Sequence, residues 1–373
     1  MRSDTPAPAD EANPRVMITD GGQEAPALRA QLASAVEPAD RLLIYSHLNP
    51  DPDTVGAALA LRFLLQERYG KRVTACYRGI IGRAENQTLM QILGADLKHA
   101  STIDEASFDG ILLVDCQPDY GFLPEVGLPV LGVIDHHPLS AASSGVPYVD
   151  VRPDYGATST ILAEYLQEAE IEPTREIATA LFYGVKTDTN DLSRRTGAWD
   201  VAAYDWLLPR IDRQALARIE TPSLSREYFE CFAAAVGRAR TYNNAVMTEI
   251  GRMPYSDMVA EVADRLIRLD AMDWSVCFGM HGQRIYLSVR TSHPTRDAGE
   301  LVKAVLRDEG VGGGHDTMAA GRVQLLDDSD ETYIRIVTEL WDRFLTALGE
   351  EPDGGRALVT DGGYETRIHP ADE

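Results

Sequence analysis

Lysine is nearly missing from this chain. Four of its 373 residues are lysines (Lys71, Lys98, Lys186 and Lys303), and the positive charge rests on arginine instead. Lys and Arg together number 35 against 58 Asp and Glu, a formal net charge of −23. Such a balance does not suit a protein that wraps long nucleic acid through its phosphates. It fits a salt-rich cytoplasm or a GC-rich genome, and either way an anionic substrate must meet locally placed arginines or metal ions. Cysteine is scarce as well. Cys76, Cys116, Cys231 and Cys277 are far apart and form no Cys-x-x-Cys pair, which argues against a disulfide framework or a thiolate zinc site. No apolar run approaches the length that spans a bilayer, so no membrane association is expected. The opening residues MRSDTPAPADEANP lack a charged-then-apolar pattern, and the expected location is the cytoplasm.

What is present is an alternation. The apolar fraction, 44%, suffices for sizeable cores, and the length favours two domains. Residues 1–23 are Pro-, Ala- and acid-rich, residues 350–373 look similar, and both read as disordered tails. Between them the sequence divides into 24–191, a polar helical linker at 192–241, and a smaller mixed α/β segment at 242–349. In the first segment, strands at Arg41–Ser46, Arg72–Tyr77, Gly110–Cys116 and Pro129–His137 alternate with helices, including Ser159–Glu170 and Arg175–Val185. This pattern predicts a doubly wound α/β fold, a parallel sheet with helices on both faces. In the second segment, Val276–His281 and Arg284–Arg290 read as a hairpin, Ala298–Glu309 as a helix, GVGGGH as a glycine loop and Glu331–Leu348 as a last helix.

Chemistry-bearing residues recur at the ends of predicted strands. In IYSHLNPDPDTVGAALAL (Ile44–Leu61), a strand becomes a helix through His47, Asp51 and Asp53. Asp115 ends GILLVD, Asp135, His136 and His137 end VLGVIDHH, and Asp188 follows ALFYGVKT. Singly, Asp53 or Asp115 would cap a helix and Asp188 would fit an Asx turn. Jointly they require another explanation. Ligands of open parallel sheets sit beyond the carboxyl ends of the strands, and carboxylates gathered there repel by about 4 kcal/mol per pair at 4 Å and an effective dielectric near 20. Bound cations relieve this. Oxygen and nitrogen donors without thiolate suit Mn²⁺, with Mg²⁺, Co²⁺ or Zn²⁺ as alternatives, and the donors suffice for two ions sharing a carboxylate.

These stretches resemble the DHH phosphoesterase superfamily, RecJ-like, in the branch with a DHH-associated C-terminal domain. HLNPDPDTVGAALAL, LLVDC, VIDHHP, GVKTDTNDLSR and then YLSVRTS with GVGGGHDTMAAGRV occur in the family's order over roughly residues 40–325. The resemblance implies that His47 and Asp51 hold one metal and Asp53 the other, that Asp115 bridges them, and that His136 and Asp188 complete the ligands of the second metal. It implies that His137 faces the substrate phosphate and Asp135 orients an imidazole. Thr54 and Ala57 depart from the usual first motif. In the C-terminal segment it implies a substrate grip by Arg290, Gly312, Gly313, Gly314 and His315, with backbone N–H groups and an arginine fork meeting phosphate.

The implied function is hydrolysis of phosphate esters in short oligoribonucleotides or dinucleotides such as pApA, with 3′-phosphoadenosine-5′-phosphate as a companion substrate, by water activated at a two-ion centre. A long duplex is not an expected partner; a homodimer is, although no interface stretch stands out. Two alternatives stay open: a manganese-dependent inorganic pyrophosphatase, disfavoured because Lys303 is the sole lysine after Lys186, and a catalytically silent nucleotide-binding sensor.

Overall fold

The structure is a computed structural model describing residues 25–120, 127–293, 295–307, 309–315 and 317–360. The expected tail at 1–23 and residues 361–373 lie outside that range. Two compact units divide the chain between Thr221 and Pro222, with Gly82–Ala84 grouping with the second. No helix among the described residues is long and apolar enough to cross a membrane.

The first unit contains α1 (Ala25–Val36), β1 (Arg41–Leu48), α2 (Pro52–Tyr69), β2 (Arg72–Arg78), α3 (Ala84–Ile92, which begins in Gly82–Ala84), β3 (Leu97–His99), β4 (Gly110–Val114), β5 (Val130–Asp135), β6 (Tyr148–Val151), α4 (Thr158–Glu168), α5 (Arg175–Asp188), α6 (Ala198–Leu207) and α7 (Arg213–Glu220). Its six strands form a parallel sheet in the order β3-β2-β1-β4-β5-β6. This is the doubly wound order, with the topological switch between β1 and β4. The central strand β4, GILLV, is buried along its whole length, as a parallel strand covered on both faces must be.

Alternation along β1 separates two cores. Leu42 and Ile44 pack with residues of α2, α4 and α5, while Leu43 and Tyr45 pack on the opposite face. Helices were expected on that second face too. Among the described residues it is covered instead by Ala100, Ile103, Phe108, Leu128 and Val146, from connections holding single helical turns at Ala100–Thr102, Glu105–Ser107, Pro118–Tyr120 and Ala141–Ser143. The ten residues from β3 to β4 are too few, and too rich in Asp and Ser, for a helix that crosses a sheet.

α2 starts where the sequence predicts. Asp51 is its N-cap, accepting a 2.9 Å bond from Thr54 N, Pro52 takes the first turn, and Gly70 ends the helix at φ 63°. Two glycines let the helices converge. A Cβ on Gly56 would stand 2.7 Å from Ala180 O, and one on Gly184 would stand 2.9 Å from Asp53 Cα.

The second unit contains α8 (Arg226–Arg238), β7 (Arg240–Tyr242), β8 (Ala245–Arg252), α9 (Met258–Leu266), β9 (Trp274–His281), β10 (Arg284–Thr291), α10 (Ala298–Leu306), β11 (Val311–His315), β12 (Met318–Gln324), α11 (Asp330–Leu348) and β13 (Arg356–Ala357). Its seven-stranded sheet runs β11-β12-β10-β9-β8-β7-β13, with β8 and β9 parallel and the other pairs antiparallel. Val276 and Phe278 pack with α10 and α11, and Cys277 packs with α8 and α9.

Three expectations meet a different arrangement. The stretch 192–241 is divided, α6 and α7 packing into the first unit and α8 into the second. Residues within 350–373 are partly structured: β13 pairs with β7, and Leu358 N donates to Ala239 O at 2.8 Å. The glycine loop is an edge strand, because β12 pairs Gly312, Gly313 and Gly314 with Gly321, Ala320 and Ala319.

Candidate metal centre

The switch point of the first sheet gathers the predicted residues. His47 leaves the end of β1, Asp51 and Asp53 open α2, Asp115 follows β4, and Asp135, His136 and His137 lie at and just beyond the end of β5. Asp188 is the last residue of helix α5, so three strand ends and one helix end contribute rather than four strand ends.

Three groups of potential ligand atoms lie within 4.8 Å of one another: His47, Asp51 and Asp115; Asp53, His136 and Asp188; and Asp115, His136 and His137. His47 Nε2 is 3.8 Å from Asp51 Oδ1 and 3.4 Å from Asp115 Oδ2. His136 Nε2 is 3.6 Å from Asp115 Oδ1 and 3.5 Å from Asp188 Oδ2. The two oxygens of Asp115 thus face different imidazoles. Asp115 adopts φ 58°, a left-handed conformation uncommon for a residue with a Cβ.

The imidazoles are oriented from behind. His47 Nδ1 sits 2.8 Å from Leu48 O and His136 Nδ1 3.2 Å from Tyr155 O. Each carbonyl accepts the Nδ1 proton and turns Nε2 toward the carboxylates, the orientation of a metal-ligating histidine. Tyr155 is itself stacked on Trp199 at 5.7 Å, and its hydroxyl lies within bonding distance of both Arg152 and Glu164. His137 Nδ1 is 2.8 Å from Asp135 Oδ1, and Gln117 Nε2 donates to Asp135 Oδ2 at 2.8 Å.

The carboxylates are anchored too. Thr54 Oγ1 donates to Asp115 Oδ2 at 2.5 Å and Thr158 Oγ1 to Asp115 Oδ1 at 3.0 Å. Asp53, fully buried, accepts Thr158 N at 2.8 Å and Ser159 N at 2.7 Å, so it caps the start of α4 from another helix.

Charge is unevenly shared. Burial, and then the charges of Asp51, Asp53 and Asp115, raise Asp188 well above the usual carboxylate range. Burial and Asp115 likewise push Asp53 up to about 7. Asp115 goes the other way: burial opposes its charge, but the hydrogen bond to His47 and the surrounding imidazoles outweigh it. Burial also opposes the charge of His137, yet the hydrogen bond to Asp135 and the nearby Asp115 raise it to about 9. A pocket whose carboxylates retain protons for want of positive charge fits a divalent cation. The donors are oxygen and nitrogen; Cys116, beside Asp115, is buried with its Sγ toward Tyr45 O.

The substrate-grip residues lie in the second unit. Arg290 is nearly buried, donating through Nε to Asp264 Oδ1 at 2.5 Å and through Nη1 to Ser288 Oγ at 2.7 Å, so it is not the open fork expected. Gly312–Gly314 line the sheet edge, and the side chain of His315 lies outside the described residues. The sequence shows Thr54 only as a departure from the usual first motif, and the supporting roles of Thr158, Gln117 and Tyr155 emerge from the structure alone. Thr54 within the Asp-Pro-Asp-Thr run was the readable signal; a backbone carbonyl such as that of Tyr155 leaves none.

The model of the DHH family, N-terminal domain, matches residues 41–185. An uncharacterized protein of Methanocaldococcus jannaschii is 35% identical over 288 residues, covering 76% of this chain and 58% of the relative. An A-adding tRNA nucleotidyltransferase of Geobacter sulfurreducens is 30% identical over 82% of this chain and 34% of its own length. A probable manganese-dependent inorganic pyrophosphatase of Enterococcus faecalis is 26% identical over 40% of this chain and 48% of its own. The chain thus spans between 34% and 58% of the length of these curated relatives. The crystal structure of an exopolyphosphatase-related protein from Bacteroides fragilis shares the fold, with a TM-score of 0.65 at 16% identity over 85% of this chain and 97% of that one.

Proposed function

We propose that this chain, whose residues 41–185 match the model of the DHH family, N-terminal domain, is a divalent-metal-dependent phosphoesterase acting on short oligoribonucleotides or dinucleotides. One observation carries the reading: Asp115 belongs to two groups of ligand atoms at once, facing His47 with one oxygen and His136 with the other. A carboxylate so placed is suited to bridging two cations. His47, Asp51 and Asp115 would hold one ion, and Asp53, Asp115, His136 and Asp188 the other; Mn²⁺ suits the donors, and a relative's name specifies manganese. Bound there, the ions would supply a water of lowered pKa and charge to offset the phosphoryl oxygens.

The chain's own residues do the rest. The carbonyls of Leu48 and Tyr155 hold two imidazoles in one tautomer. The Thr54 and Thr158 hydroxyls fix the plane of Asp115. Asp135 keeps a proton on His137, which as an imidazolium offers a donor to a phosphate oxygen. The acidic surface favours small substrates over long duplexes.

Pyrophosphate is the second reading, because the Enterococcus relative is named for it. That match covers only 152 residues, and the lysine-poor second unit weighs against it. The test is release of mononucleotides from a two-to-five-nucleotide RNA ladder with Mn²⁺, measured beside phosphate release from pyrophosphate. RNA cleavage lost in Asp115→Ala supports the proposal. Pyrophosphate turnover alone transfers it to the second reading, and tight nucleotide binding without product marks a sensor.

A further inference from the structure

One open hollow in the first unit plays no part in the metal centre. It has a volume of about 500 Å³ and lies beyond the carboxyl ends of β2 and β3, lined by Arg78, Gly79, His99, Ser101, Asp104 and Glu105 among others. It exists because the connection from β3 to β4 covers the sheet with single turns rather than a helix.

Its polar groups are held in place. Tyr45, fully buried, accepts from Arg78 Nε at 2.7 Å and donates to Glu105 Oε1 at 2.6 Å, and Arg78 Nη2 donates to the same Glu105 oxygen at 3.2 Å. A half-exposed guanidinium is thereby fixed at the lip of the hollow on a buried phenol. His99 is fixed as well. Its ring meets Tyr77 edge-on at 5.4 Å, and its Nδ1 accepts from Ser101 N. The accepting Nδ1 places the ring proton on Nε2.

The hollow adjoins the metal centre through the backbone. Leu48, next to His47, is the strand partner of Arg78. Asn49 N donates to Arg78 O at 3.1 Å, and Ile80 N donates to Asn49 Oδ1 at 2.7 Å. Gly79 turns this corner at φ 82°, and a Cβ there would collide with Asn49 Oδ1.

The lining carries one arginine against two carboxylates, so a second phosphate is not its natural occupant. A guanidinium plane and an imidazole are surfaces on which bases stack. Carboxylates accept ribose hydroxyls, the groups that distinguish RNA from DNA. We propose that this hollow receives the ribonucleoside adjoining the scissile phosphate, with its base on Arg78 and His99 and its hydroxyls on Asp104 and Glu105. The assignment rests on the phosphoesterase reading above and adds a selectivity to it: ribose over deoxyribose.

The experiment compares the full-length protein with His99→Ala and Asp104→Asn on three substrates: a ribodinucleotide, the matching deoxyribodinucleotide, and bis(p-nitrophenyl) phosphate, which has no nucleoside. His99→Ala should raise KM for the ribodinucleotide tenfold or more while kcat and the nitrophenyl reaction stay unchanged. Asp104→Asn should narrow the ribose preference. Equal rates on the two dinucleotides in the wild type, or equal losses on all three substrates, overturn the assignment. If nothing is hydrolysed, the phosphoesterase reading fails, and calorimetric titration with adenosine tests the hollow separately. Binding abolished by His99→Ala upholds it, and no binding to the wild type overturns it.

Discussion

Thr54 Oγ1 donates a 2.5 Å hydrogen bond to the Oδ2 of Asp115, the same oxygen that lies 3.4 Å from His47 Nε2. A residue 61 positions away in sequence thereby fixes the orientation of the carboxylate shared by two of the three ligand groups. Thr54→Val removes the hydroxyl and keeps the volume. It should weaken divalent-metal affinity by roughly 10–100-fold, read by calorimetric titration with Mn²⁺, while Thr54→Ser should retain most of the affinity.

Asp53 separates two roles that usually coincide in one experiment. It accepts two backbone N–H groups of α4 and belongs to a ligand group. Asp53→Asn keeps one of the two acceptor oxygens that hold the helix, sets an NH2 donor against the other backbone N–H, and loses the charge. Activity should fall by at least about 100-fold, with the helical circular dichroism signal of the metal-free protein preserved. Retained activity would reduce Asp53 to a cap.

The dependence on pH follows from the same groups. Asp53 has a folded value of about 7, above the ordinary carboxylate range, so its proton stabilises the fold at low pH. That contribution is lost as the pH rises from about 4 to 7. His137, raised to about 9, adds stability that disappears as the pH passes from about 6.5 to 9. The metal-free protein should therefore melt at a falling temperature from pH 5 to pH 9. Saturating Mn²⁺ should flatten or reverse the trend, since cations bind the deprotonated carboxylates. A metal-free melting temperature that climbs over this range would contradict the assignment.

Gly184 faces Asp53 Cα at a distance where a methyl group does not fit. Gly184→Ala should destabilise by roughly 1–3 kcal/mol, as overpacking does, and should also lower metal affinity, because α5 carries Asp188. Urea unfolding with and without Mn²⁺ measures both effects. Gly237→Ala, which meets no atom within 4 Å, is the control.

Much of this centre could be read before any coordinates, for a physical reason. A buried parallel strand is a short apolar run, and the residue that stops it marks the sheet's carboxyl edge; Asp115 and Asp135 stand out that way. Asp188 was less legible, because ALFYGV is apolar enough for either a strand or a helix, and length alone separates them. The glycine run gave no hint of its strand, since pairing with β12 comes from the partner's backbone rather than from β propensity. Arg290 was expected to await a phosphate because Asp264, 26 residues away, cannot be paired with it from sequence. The thinly covered second face was equally hidden, since it follows from what the β3–β4 connection lacks.

The grip of Asp53 on the first turn of α4 has a mechanical corollary. The oxygens that would receive a cation are also the fastening of an eleven-residue scaffold helix. Under starvation for divalent ions the cell would therefore hold a slacker molecule as well as an idle one, with amide protons near Thr158 and Ser159 trading with solvent sooner than those deep in β4.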